Sequence, residues 1–209
     1  MSTAPTASKV DLKRELAMLY RPRAGGPRFV DVPELGFLMI DGDGDPEEAP
    51  GFTRAIEALY SAAYTLKFGL KKLGLDFTVM PLEGLWWADE GGGFSFAERN
   101  DWRWTAMIAM PDEVTPVEVE EARAVAATKR DLPSLPLLRL ERFHEGLSVQ
   151  ITHVGPFSEE ASSIERVHAF IHEQTCAPRG KHHEIYLSDP KRTPPERLKT
   201  IIRQPVQAA

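Results

Sequence analysis

The sequence predicts an α+β fold in which two β-α-β-β units form an antiparallel sheet with helices packed on one face. Three observations predict it. The order strand, long amphipathic helix, strand, strand occurs twice along the chain. Landmarks match between the copies: Met39–Pro46 parallels Gln150–Pro156, each ahead of a helix, and Glu83–Trp87 parallels Glu184–Leu187. The repeat is about 100 residues long, which fits a duplicated domain and not a solenoid. Antiparallel sheets with helices segregated to one side are the usual outcome of such an order.

The elements follow in order. Residues 1–10 are rich in Ser, Thr and Ala and are read as a mobile start. Leu12, Leu16 and Leu19 give Asp11–Tyr20 a shared helical face, and Pro22, Gly25, Gly26 and Pro27 then break the chain. Residues 1–27 are therefore an N-terminal extension, and residues 28–209 a single domain of two repeats, about 28–112 and 131–209. Phe37-Leu38-Met39-Ile40 is a short buried strand closed by Asp41–Pro46. Phe52, Ile56, Leu59, Ala63, Leu66, Leu70 and Leu73 recur at three and four and mark a helix of about six turns. It ends on Lys71, Lys72 and Gly74. Leu75–Ala88 reads as extended, and Gly91–Gly93 as a loop. Trp102, Trp104, Ala106 and Ile108 alternate with polar or less apolar neighbours as in a strand. Thr115-Pro116-Val117-Glu118 has the composition of a capping box, opening a linking helix over 116–130. In the second half Leu137–Phe143, Leu147–His153, His183–Leu187 and Leu198–Val206 are strand-like, with a helix over 158–174.

Composition excludes several functions. The formal charge of −6 from 25 basic and 31 acidic residues speaks against nucleic acid, whose phosphates draw on surplus Lys and Arg. No apolar run approaches the roughly 18–20 residues of a membrane span. The start lacks the apolar core of a signal peptide, so the expected location is the cytoplasm. One cysteine, Cys176, allows no internal disulfide and no multi-cysteine metal cluster. His168 and His172 lie four apart, but nothing fixes a third ligand. Asp41, Asp43 and Asp45 fail as a calcium loop, because Pro46 and Phe52 fall where such a loop needs Gly and Glu. No metal and no cofactor are expected.

All four tryptophans fall between Trp86 and Trp104. Core packing accounts for any one of them, but strand alternation constrains the set. Trp102 and Trp104 share a face, whereas Trp86 and Trp87 point to opposite faces, so one of that pair is turned away from any pocket. Glu184 sits in an apolar strand between two histidines and Ile185-Tyr186. It is either an edge carboxylate or an acid in an apolar pocket, where burial would raise its pKa. Tyr60 and Tyr64, four apart, share a face of the first long helix and either pack between helix and sheet or project together from it. The helix-free face of the sheet is expected to line a groove between the halves, and such interfaces favour small-ligand pockets.

Three blocks carry a family resemblance: Pro81-Leu82-Glu83-Gly84-Leu85-Trp86-Trp87, His153-Val154-Gly155-Pro156 and His182-His183-Glu184-Ile185-Tyr186-Leu187-Ser188-Asp189-Pro190. Together they resemble GyrI-like small-molecule-binding domains, closest to the stand-alone branch that includes cyclopropanoid cyclopropyl hydrolases. The resemblance spans about residues 28–206. It implies one central pocket at a pseudo-twofold axis that holds aromatic or electrophilic small molecules. In the hydrolase branch it implies opening of a strained cyclopropane by water. Residue by residue, it implies Glu184 and Tyr186 as catalytic groups. It gives Trp86 and Glu83, on the facing strand, as ligand-binding positions; Trp87, Trp104, Tyr60, Tyr64 and His183 are further ligand-binding candidates from the reading of the residues themselves. Non-catalytic drug binding, sequestering or sensing, and partner binding of the gyrase-inhibitor kind, are the open alternatives.

Overall fold

The computed structural model describes residues 9–22, 25–48, 50–88 and 101–209. The Gly91–Gly93 loop and residues 1–8 lie outside them. Two short helices come first, α1 (Leu12–Glu15) and α2 (Ala17–Tyr20), followed by β1 (Arg28–Asp43), α3 (Pro50–Lys72), β2 (Leu82–Ala88), β3 (Trp102–Met110) and α4 (Pro116–Lys129). The second half holds β4 (Arg139–Val154), α5 (Ala161–Glu173), β5 (Cys176–Pro178), β6 (His182–Tyr186) and β7 (Lys199–Ala208).

Every ladder is antiparallel, and the strand order is β4-β1-β3-β2-β6-β7-β5. A further pairing of β4 with β7 closes the sheet into a barrel, with β5 appended to β7. Closure leaves few free edges, the usual hazard of an open sheet. The ring order is unchanged when β1, β2 and β3 are exchanged with β4, β6 and β7. The axis of that exchange runs between β2 and β6, where Gly84 pairs with Glu184.

Several elements extend beyond their sequence signals. The short run at Phe37–Ile40 is the end of a 16-residue strand. The two strand-like stretches after Leu137 are one continuous strand, β4, because Gly146 takes a left-handed φ of +71° that a side chain would disfavour. The opening segment is bent at Leu16 into α1 and α2, and Leu19 and Tyr20 are buried. In α4, the Glu118 carboxylate accepts from the Thr115 backbone N–H at 2.7 Å, as a capping box requires.

α3 and α5 pack outside the barrel. α3 lays Ala55, Ala58, Leu59, Ala62, Ala63 and Leu66 on the first half of the sheet, and its small alanines bring helix and strands close. α5 packs Ile164, Val167 and Ile171 on Val149, Ile151 and Ile202 in a separate core. The opposite face of each strand turns into the barrel. Among the described residues, no helix is long and apolar enough to cross a membrane.

Candidate functional site

The barrel interior is closed, so the groove expected on the helix-free face is absent from it. That interior instead holds a buried ionic network. The His183 imidazole lies 3.0 Å from both Glu83 and Glu145, and Arg203 donates to Glu145 at 3.0 Å and to Gln150 at 3.0 Å. Tyr20 donates to Glu83 at 2.8 Å, and Arg203 also reaches the Leu19 carbonyl at 3.2 Å. These last contacts fasten the N-terminal helices to the barrel. Burial disfavours the imidazolium, but the neighbouring Glu145 and Glu83 raise the His183 pKa above its ordinary value. Burial likewise opposes ionisation of Glu145, yet His183 and Arg203 hold it well below the usual carboxylate range.

An open groove of about 1660 Å³ lies on the helix-bearing side, over the β2–β6 seam. α3 forms one wall with Phe52, Ile56 and Tyr60. The floor is Trp86, Glu184 and Tyr186, and Phe157 and Glu160 close the side nearest α5. Trp86 folds back over its own strand. A Cβ at Gly84 would lie 2.7 Å from the Trp86 indole nitrogen, so only glycine leaves room for that ring. Phe52 packs on Trp86 at 5.1 Å and Trp102 packs edge-on to it at 5.6 Å, giving an aromatic wall.

The polar end of the groove is built on β6. His182, Glu184 and Tyr186 alternate onto one face and bond one another: His182 Nε2 lies 3.1 Å from Glu184 Oε1, and Tyr186 Oη donates to Glu184 Oε2 at 2.7 Å. Glu160, the N-cap of α5, is placed beside Glu184. Its loop is pinned by the Gly155 N–H to the Leu198 carbonyl at 3.0 Å and by His153, which bonds Ser163 at 3.0 Å and the Pro156 carbonyl at 3.2 Å. Glu160 is 2% exposed and Glu184 7%.

Two adjacent buried carboxyls do not both ionise readily. Burial works against the charge on Glu184, but His182, Tyr186 and Glu160 outweigh it and hold that carboxyl below its ordinary value. Burial, followed by the Glu184 charge, pushes Glu160 up to about 9. At neutral pH the pair thus carries one proton, held on Glu160. Burial and the Glu184 charge also raise the Tyr186 phenol well above its ordinary value, so it stays a donor. The Trp86 indole N–H and Glu160 Oε1 have no hydrogen-bond partner among the described residues.

The structure brings Glu184, Tyr186, Trp86, Tyr60 and Tyr64 to this groove. It places four other expected residues elsewhere. Glu83 and His183 point into the barrel, because on β2 and β6 they alternate with the groove-facing positions. Trp87 shares that opposite face, where Lys181 lies 3.3 Å from its ring centre. Trp104 is 2% exposed, behind the wall, edge-on to Phe52 at 5.0 Å. Glu160 and Phe157 were not anticipated from the sequence. Their signal was the Gly155-Pro156 turn, which fixes where the chain enters α5. Among the described residues no group of three or more His, Cys, Asp or Glu could hold a metal ion.

A closed antiparallel barrel carrying a concave, aromatic, acid-floored groove defines a small-molecule-binding domain. The family model of the GyrI-like small molecule binding domain matches residues 26–207, and the chain belongs to that family. A crystal structure of an uncharacterized conserved protein from Listeria innocua is similar at 41% identity and a TM-score of 0.86, over 95% of this chain and 100% of that one. A second Listeria innocua structure, described as a hydrolase, is similar at 39% identity and a TM-score of 0.82, over 95% and 100%. The C-terminal domain of EcmrR shares the fold alone, at 9% identity and a TM-score of 0.58 over 88% and 98%. No curated protein matches the chain.

Proposed function

We propose that the groove binds flat aromatic electrophiles and hydrolyses them, with the strained cyclopropane of a cyclopropanoid genotoxin as substrate. The observation that carries this reading is the Glu160–Glu184 pair. Two buried carboxyls lie together at the end of an aromatic slot, and their surroundings push Glu160 up and hold Glu184 down. Groups with pKa values pushed apart are the arrangement that general acid–base chemistry uses.

The step balances with water alone. Ionised Glu184 takes a proton from water as the water oxygen bonds to a cyclopropane carbon. The breaking carbon–carbon bond sends its electron pair to the carbonyl oxygen conjugated with the ring. Protonated Glu160 delivers a proton to that oxygen, giving a phenol, and then takes back from Glu184 the proton gained from water, which restores the pair. Tyr186 and His182 orient Glu184, while the wall of Trp86 and Phe52 packs against the flat ligand. General acid and base catalysis of this kind contributes about 10²–10⁴-fold in rate. The description of a Listeria innocua relative as a hydrolase agrees with this reading. In the cell the activity would be detoxification, and with it drug resistance, in the cytoplasm.

The test is incubation with a cyclopropanoid alkylator, with products followed by mass spectrometry. Repeated turnover to a ring-opened hydrate is expected, and Glu184→Gln should abolish it while retaining most binding. Quenching of tryptophan fluorescence without turnover would make the protein a drug-sequestering binder. No binding and no turnover would favour a protein partner.

A further inference from the structure

The groove does not end at the carboxyl pair. Tyr60, Tyr64 and Phe68 follow one another at i, i+4 and i+8 on α3, and all three border it. Their rings form a ladder. Tyr60 to Tyr64 is 6.2 Å between centres with planes 27° apart, and Tyr64 to Phe68 is 6.2 Å with planes 23° apart. Eight residues of helix carry the ladder about 12 Å from the slot. Tyr60 is half-buried at the slot, whereas Tyr64 is 47% exposed and Phe68 58%. Contacts between aromatics four apart stabilise a helix by only about 0.2–0.5 kcal/mol, a weak reason to leave two rings in water. Contiguous exposed apolar surface beside a pocket commonly marks ligand contact.

We infer that this ladder is an extension of the binding site, which takes the second planar unit of an elongated ligand built from linked aromatic rings. The inference rests on the cleft reading above and adds the ligand's shape to it. One unit lies against the Phe52–Trp86 wall, and the next lies along Tyr64 and Phe68. The occupant is a small molecule because the ladder is continuous with the slot, both bordering one groove. Its charge is neutral or positive, because the slot end presents the buried Glu160–Glu184 carboxyl pair. Lys67, which falls between Tyr64 and Phe68 in sequence, is turned away to Asp76 at 2.7 Å.

Fluorescence titration with two probes tests this. Phenylbenzimidazole has one planar unit. A bis-benzimidazole dye has two joined end to end. Wild-type protein should bind the longer probe about tenfold more tightly, the gain expected from one further aromatic contact. Phe68→Ser, at an exposed position, should lower the ratio of long- to short-probe affinity severalfold, and Phe68→Tyr should restore it. Equal affinities for both probes, or a ratio unmoved by Phe68→Ser, would overturn the inference and leave the cleft reading standing. Sedimentation showing a wild-type dimer that Phe68→Ser dissociates would also overturn it, since a second copy would then cover the ladder. Short-probe binding that is indifferent to Trp86→Ala would sink the cleft reading itself, and this inference with it.

Discussion

His183 and Glu184 are neighbours in sequence and lie on opposite faces of one strand. His183 is clamped inside the barrel between Glu83 and Glu145, while Glu184 forms the floor of the groove with Tyr186 and is bonded by His182. The seam that carries the groove is therefore tied from beneath by ion pairs. A rigid floor suits a site whose polar groups must be held in place before the ligand arrives.

Removing one member of that network should be costly. Arg203 is 1% exposed and neutralises Glu145, so Arg203→Met leaves a buried carboxylate short of a partner. A loss of about 3–5 kcal/mol in chemical denaturation is expected. A loss below 1 kcal/mol would show that Glu145 finds compensation elsewhere.

The N-terminal helices belong to this barrel energetically. Tyr20→Phe deletes the hydroxyl that donates to Glu83 and should cost about 1–3 kcal/mol in urea denaturation. An unchanged midpoint would mean that the segment docks by apolar contact alone.

Glu160 makes stability depend on pH in a definite direction. Its folded pKa of about 9 lies above that of an unfolded carboxyl, so folding takes up a proton between those values. Stability from this group therefore falls as pH rises from about 4.5 towards 9. His183 acts in the same sense. Its raised pKa contributes stability that is complete below the unfolded value and lost as pH climbs through the folded one. Glu160→Gln should then raise the melting temperature at pH 8, and the gain should vanish near pH 4. A variant less stable than wild type at pH 8 would mean that Glu160 is ionised in the folded state.

Gly84→Ala tests the wall. The added methyl would meet the Trp86 indole at 2.7 Å, so the ring must swing out. A stability loss of about 1–3 kcal/mol is expected, with a shifted tryptophan emission and weaker ligand binding. Unaltered emission and affinity would show that Trp86 holds its place without that glycine.

Much of the architecture was legible in local pattern. The face of α3 from Phe52 to Leu70, the Thr115–Glu118 cap and the alternation around Trp102 and Trp104 each reflect short-range periodicity. Glu160 was not legible. A glutamate just ahead of a helix reads as a solvated carboxylate, and its burial depends on α5 docking beside β6, two elements that share no local signal. Glu83 and His183 were misplaced for a related reason. Their blocks mark the right strands, but alternation sends every second side chain to the far face.

The sequence by itself determined which residues share a face, because a strand's period of two and a helix's of 3.6 are properties of the backbone. It required Trp86 and Trp87 to point apart, and it put Glu184 and Tyr186 together. Only the tertiary structure decided which face is the outside. The pairing of β4 with β7 turns one face inward, where His183 and its partners must satisfy one another's charge. α3 and α5 flank the other face, so Trp86 meets the ligand groove and Trp87 does not.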